Sequence, residues 1–163
     1  MVGSFEAFYA QNFRPVYRSL WLAFRDSGLA EEAAQEAFAR AFAHWQRVEL
    51  MDRPVGWVYV VAVRYGMRRK ALPANDPQHQ NDDPIERVAT GETLRAAIEQ
   101  LPPRQRLAVT LRFYADLPLA DVADAMGCAI GTAKSTLHAA LRRLRIDLDD
   151  LDASREGTTD HAR

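Results

Sequence analysis

The sequence predicts an all-α protein of two small helical domains joined by a flexible acidic linker, and three observations carry that prediction. Apolar residues recur at steps of three and four through most of the chain, which places them on single helical faces. The densest apolar run, residues 57–63, shows poor alternation, so a buried helix fits it better than a strand. Residues 72–91 hold Pro73, Asn75, Asp76, Pro77, Gln78, His79, Gln80, Asn81, Asp82, Asp83 and Pro84, the polar and proline-punctuated composition of a tether. The expected organisation is a helical domain at 1–71, a linker at 72–91, a second helical domain at 92–147 and an acidic, disordered tail at 148–163.

The first helix follows from Phe5, Phe8, Tyr9, Phe13, Val16, Tyr17, Leu20, Trp21 and Phe24, with Ser4 as its cap. Asp26, Ser27 and Gly28 interrupt the pattern. It resumes on a second helix through Ala33, Ala34, Ala37, Phe38, Ala41, Phe42 and Trp45, where alanine permits close packing and Phe38 and Phe42 are expected to face inward. Asp52 and Pro54 start a third helix through Trp57, Val58, Val61 and Tyr65, ending in Arg68, Arg69 and Lys70. Beyond the linker, Leu94, Ala97, Ile98 and Leu101 line one helix, Pro102 and Pro103 stop it, and Leu107, Ala108 and Leu111 line the next.

Residues 118–144 form a helix-turn-helix pattern. Leu119, Val122, Ala123 and Met126 make one apolar face, Gly127 supplies a left-handed turn, and Ala133, Leu137, Leu141 and Leu144 make another. Thr132, Lys134, Ser135, Thr136 and His138 then point away from the core, as a face that enters a major groove must. Lys134 suits guanine O6 or N7, the hydroxyls suit base edges or phosphates, and Arg142 and Arg143 lie where a duplex backbone would pass. An ordinary helical hairpin with a polar face satisfies the same spacing.

Composition narrows the function. The chain has 163 residues and a net charge of −1, but its charges are blocked. Residues 1–70 carry 10 basic and 7 acidic side chains, 71–92 carry 1 and 5, 93–146 carry 8 and 4, and 147–163 carry 2 and 6. Two mildly basic segments separated by acid suggest two units that approach a polyanion. A single cysteine, Cys128, excludes an internal disulfide and a cysteine-based zinc site. The longest apolar stretch is far too short for a membrane span and the first six residues lack a basic signal start, so no membrane insertion and a cytoplasmic location are expected. The histidines His44, His79, His138 and His161 have no metal spacing, there is no glycine-rich phosphate loop, and Ser135 with His138 lacks an orienting acid. No catalytic residue, cofactor, metal or small-molecule substrate is expected.

The segment at 101–145, LPPRQRLAVTLRFYADLPLADVADAMGCAIGTAKSTLHAALRRLR, resembles region 4 of the bacterial sigma-70 family, most closely its small extracytoplasmic-function (ECF) group. Independently, AEEAAQEAFARAF at 30–42 is similar to the core-polymerase-binding helix of region 2, and RPVGWVYVVAVRYGMRRKA at 53–71 to its promoter-melting helix. The resemblance implies a promoter-specificity subunit without chemistry of its own, whose partners are core RNA polymerase, promoter DNA and an anti-sigma factor. It places polymerase contact on Glu32, Gln35, Glu36 and Arg40. It places minus 35 contact on Thr132, Lys134, Ser135, Thr136, His138, Arg142 and Arg143. Minus 10 contact falls on Trp57, Arg64, Tyr65, Arg68, Arg69 and Lys70 and on the loop at 47–54. The chain departs from the family where the melting helix often reads Arg-Ile-Ala-Arg-Asn, here Val60, Val61, Ala62, Val63 and Arg64, and where a serine usually caps the recognition helix, here Ala129. The alternative reading is a stand-alone helix-turn-helix transcriptional regulator, which would bind duplex without polymerase.

Overall fold

Capping residues set where the helices begin. In the computed structural model, which describes residues 3–71 and 92–144, α1 runs Phe5–Phe24 behind Ser4, whose hydroxyl accepts the Ala7 N–H. Arg25 ends it in the left-handed region at φ 56°, and Asp26 at once caps α2, Ser27–Ala43, by accepting the Leu29 N–H at 2.9 Å. A single turn, α3 at Trp45–Val48, leads to α4 at Pro54–Ala71. The second unit comprises α5 (Glu92–Glu99), α6 (Pro103–Val109) prolonged by a π-helical turn at Thr110–Tyr114, α7 (Leu119–Met126) and α8 (Ile130–Leu144). All described regular structure is helical. The expected linker at 72–91 and tail at 148–163 lie outside the described residues.

α1, α2 and α4 pack as a three-helix bundle. α2 carries alanine at its inward positions Ala30, Ala33, Ala34, Ala37 and Ala41, all fully buried, so the neighbouring backbones come close and larger side chains from α1 and α4 fill the space. Phe38 is the one large residue on that stripe; it is buried against Phe8, Tyr9 and Phe13. Phe42, expected inside, is instead 63% exposed. Ala41 takes the last inward place, and Phe42, rotated by about 100° at the next residue, reaches only the helix edge, where it meets Phe5.

At Gly66 a Cβ would lie 2.5 Å from the ring of the buried Phe24. Gly66→Ala therefore destabilises the protein by about 1–2 kcal/mol, the overpacking cost outweighing the better helix propensity of alanine. Urea unfolding checks this, and a variant as stable as the parent would show that the Phe24 ring shifts freely.

The two helical units share one continuous core. The last turn of α1, Trp21, Leu22, Ala23 and Phe24, is buried all round, because one side meets its own bundle and the other meets α6 and the π turn. Arg106 of α6 crosses this junction and donates its Nε–H to the Ala23 carbonyl at 2.9 Å. The Trp21 ring is flanked by the guanidinium groups of Arg25 and Arg95, 4.3 and 4.6 Å from its centroid, and Glu99 pairs with both cations.

Candidate nucleic-acid interface

The turn between α7 and α8 is built around Gly127, at φ 65°. Its N–H bonds the Asp124 carbonyl and the Cys128 N–H bonds the Ala123 carbonyl, which satisfies the end of α7 and redirects the chain within a few residues. On α8 the stripe Ala133, Leu137, Ala140 and Leu141 is buried. The opposite face presents Thr132, Lys134, Ser135, His138, Arg142 and Arg143 to solvent, with Thr136 half-buried at its margin. The Ser135 and Thr136 hydroxyls donate to the carbonyls of Gly131 and Thr132, four residues back. Those protons are held by the helix itself, while the hydroxyl oxygens remain able to accept. The seven candidate residues of this group thus lie on or beside one outward surface carrying three cations.

The candidates on α4 divide between two faces. Trp57 and Arg64 lie toward α7, where Trp57, Val60, Arg53 and Asp52 form one wall of a cleft of about 390 Å³ and Asp121 and Asp124 the other. Tyr65 and Arg69 lie toward α2. The Tyr65 hydroxyl donates to Glu32 at 2.6 Å, which pushes its pKa above the ordinary phenol value, and Arg69 pairs with the same carboxylate at 3.3 Å. Lys70 folds back to donate to the Phe24 carbonyl at 2.8 Å, and burial, with the nearby Arg106 cation, lowers its pKa. It closes the end of α1. Arg68 is exposed.

Glu32, Gln35, Glu36 and Arg40 share one side of α2, with Gln35 and Arg40 exposed and the two carboxylates half-buried. Glu36 and Arg40 form an i,i+4 pair at 2.8 Å. Periodicity placed these residues on one helix; that Glu32 would be shared with Tyr65 and Arg69, more than thirty residues later, has no local signal.

Comparison with known proteins extends over both helical units. Residues 91–144 match the family model described as sigma-70, region 4. The RNA polymerase sigma-E factor of Streptomyces coelicolor is 33% identical over 135 residues, covering 76% of this chain and 75% of that protein. The chain belongs to the ECF sigma factors of the sigma-70 family. The ECF RNA polymerase sigma factor SigL of Mycobacterium tuberculosis is 28% identical over 80% of each chain, and SigV of Bacillus subtilis 27% identical over 85% of this chain and 87% of that one. In this sigma factor the similarity cannot be confined to the helix-turn-helix, since residues from 91 onward are fewer than half of the chain. The fold agrees with that of the sigma factor RpoE in its co-crystal structure with the anti-sigma factor NepR from Bartonella quintana, at a TM-score of 0.63, 20% identity and coverage of 86% of this chain and 94% of that one. Among the described residues, no helix is long and apolar enough to cross a membrane.

Proposed function

We propose that this ECF sigma factor directs promoter-specific initiation by dividing the work among three helices. α8 reads the minus 35 element through Thr132, Lys134, Ser135, Thr136 and His138, with Arg142 and Arg143 on the flanking phosphates. α4 and the loop before it hold the minus 10 strand through Arg64, Arg68 and Arg69, with Trp57 and Tyr65 available for stacking. Glu32, Gln35, Glu36 and Arg40 on α2 contact core RNA polymerase. Residues 1–71 and 92–147 then act as regions 2 and 4, and polymerase supplies all the chemistry. The observation that carries this reading is similarity to sigma factors extending through both helical units, joined to a recognition helix whose outward face is polar and basic. A stand-alone regulator would require only the second unit to be sigma-like. An anti-sigma factor, the partner seen with the Bartonella protein, would act by covering the α2 or α8 faces.

Run-off transcription with purified core polymerase, with and without the protein, on genomic fragments tests the proposal. Protein-dependent start sites preceded by shared elements support it; duplex binding without polymerase and without new start sites would establish the regulator instead. On the promoters so found, Lys134→Ala reduces initiation by about tenfold, the discrimination expected from one lost base contact. The same yield from mutant and parent would remove Lys134 from the minus 35 readout.

A further inference from the structure

The end of α8 that a helix-turn-helix directs at base edges carries no polar side chain. Ala129, Ile130 and Gly131 follow one another there, all exposed, and the helix opens with the Ala133 N–H donating to the Ala129 carbonyl at 3.0 Å. Side-chain hydrogen bonding to a base therefore begins only at Thr132. Ile130 is 54% exposed. The core takes in Ala133, Leu137, Ala140 and Leu141 of α8 and leaves Ile130, on the same side one turn earlier, outside it. The space beside it is open as well, since a Cβ at Gly131 would have nothing within 4 Å. Folding gains little from this isoleucine: it removes little apolar surface from water, and a β-branched residue is a poorer helix former than alanine.

We infer that Ile130 is a specificity-determining residue, which seats its apolar side chain on the C5 methyl group of a thymine in the minus 35 element. The inference rests on the reading of α8 as the minus 35 helix. The thymine methyl is the apolar group that base edges present in the major groove. Cytosine in its place would offer an amino donor that isoleucine cannot accept, so the wrong base loses the methyl contact and leaves a polar group desolvated. Helix geometry also places the thymine. Lys134 lies one turn, about 6 Å, further along α8, and base pairs are spaced about 3.4 Å apart, so the thymine falls within about two base pairs of the guanine read by Lys134. The two contacts differ in kind, because the lysine contact weakens with salt and the methyl contact does not.

The test uses the full-length protein with core polymerase on the promoters that run-off transcription finds. Each thymine of the shared upstream element is replaced in turn by deoxyuridine, which removes the C5 methyl and keeps the base pair. At one position the parent initiates about fourfold less well, the worth of one buried carbon, and the loss is the same at low and at moderate salt. Ile130→Ala initiates about fourfold less well than the parent on the thymine promoter and no longer distinguishes uridine from thymine, the non-additivity expected of two groups in contact. The uridine scan of the parent needs no variant, so it decides the matter even where Ile130→Ala is poorly folded. Equal initiation from every uridine-substituted promoter, an element without an A·T pair within about two base pairs of the guanine at which Lys134→Ala loses its preference, or unchanged uridine sensitivity in Ile130→Ala overturns the inference. Lys134→Ala on the same promoters keeps it apart from the reading of α8. A loss of about tenfold for Lys134→Ala with no uridine effect leaves α8 as the minus 35 helix and Ile130 as the uncovered end of an apolar stripe. No loss in either experiment removes α8 from minus 35 readout, and Ile130 with it.

Discussion

Phe38→Ala lowers the free energy of unfolding by about 3–5 kcal/mol, a large part of the 5–15 kcal/mol typical of a domain this size. The ring is 2% exposed and packs on Phe8, Tyr9 and Phe13 of α1 at centroid distances of 5.8, 5.2 and 5.5 Å, the one large side chain in a stripe otherwise made of alanine. Alanine neighbours have no side-chain length with which to fill the space, so the cavity persists and its cost adds to the lost transfer energy. Phe42→Ala, four residues on, costs less than about 1 kcal/mol, because that ring is 63% exposed and gives up chiefly its contact with Phe5. Urea unfolding of the two variants side by side is the check. Equal losses would mean that α2 does not pack on α1 with Phe38 inward, and the orientation assigned to Glu32, Gln35, Glu36 and Arg40 would fall with it.

Arg106→Leu is the second large effect, expected at about 3 kcal/mol or more. The Arg106 guanidinium serves three carbonyls, Ala23 at 2.9 Å, Glu99 at 3.2 Å and Leu101 at 3.3 Å. These lie at or just beyond the ends of α1 and α5, where helices leave carbonyls without partners of their own. Burial and the neighbouring Arg25 cation lower the Arg106 pKa, opposed by Glu99, yet a guanidinium starts high enough to remain charged at neutral pH. Leucine fills the volume but leaves three acceptors unmatched inside the junction of the two units. Arg106→Lys recovers less than half of the loss, because an ammonium lacks the planar fork that reaches all three oxygens. Full recovery by lysine would show that charge alone, without the fork geometry, is what the site requires.

Neither Arg106 nor the Asp124–Arg64 pair stands out in the sequence, and the reason is the range over which sequence patterns act. Helix periodicity relates residues three to four apart, so it located the buried stripes, the cap at Ser4, the left-handed Gly127 and the outward side of α8. Each of these depends on neighbours within one or two turns. The single-turn α3 and the π turn at Thr110–Tyr114 were not legible, since a four- or five-residue element has too few positions to show a period. Phe42 carried the right spacing and still faced outward, because whether a stripe's last residue is covered depends on where the partner helix ends.

The chain alone determined that the protein is helical, which side of α8 is polar and which residues of α2 share a face, all consequences of local geometry and side-chain chemistry. Only the tertiary structure decided that α7 lies across α4, that Arg64 meets a carbonyl and a carboxylate 60 residues away, that Glu32 is shared between Tyr65 and Arg69, and that Lys70 donates to the Phe24 carbonyl at the end of α1. Such pairings bring together residues from different helices, and they are set by how whole faces fit once the apolar stripes of both units merge into one core.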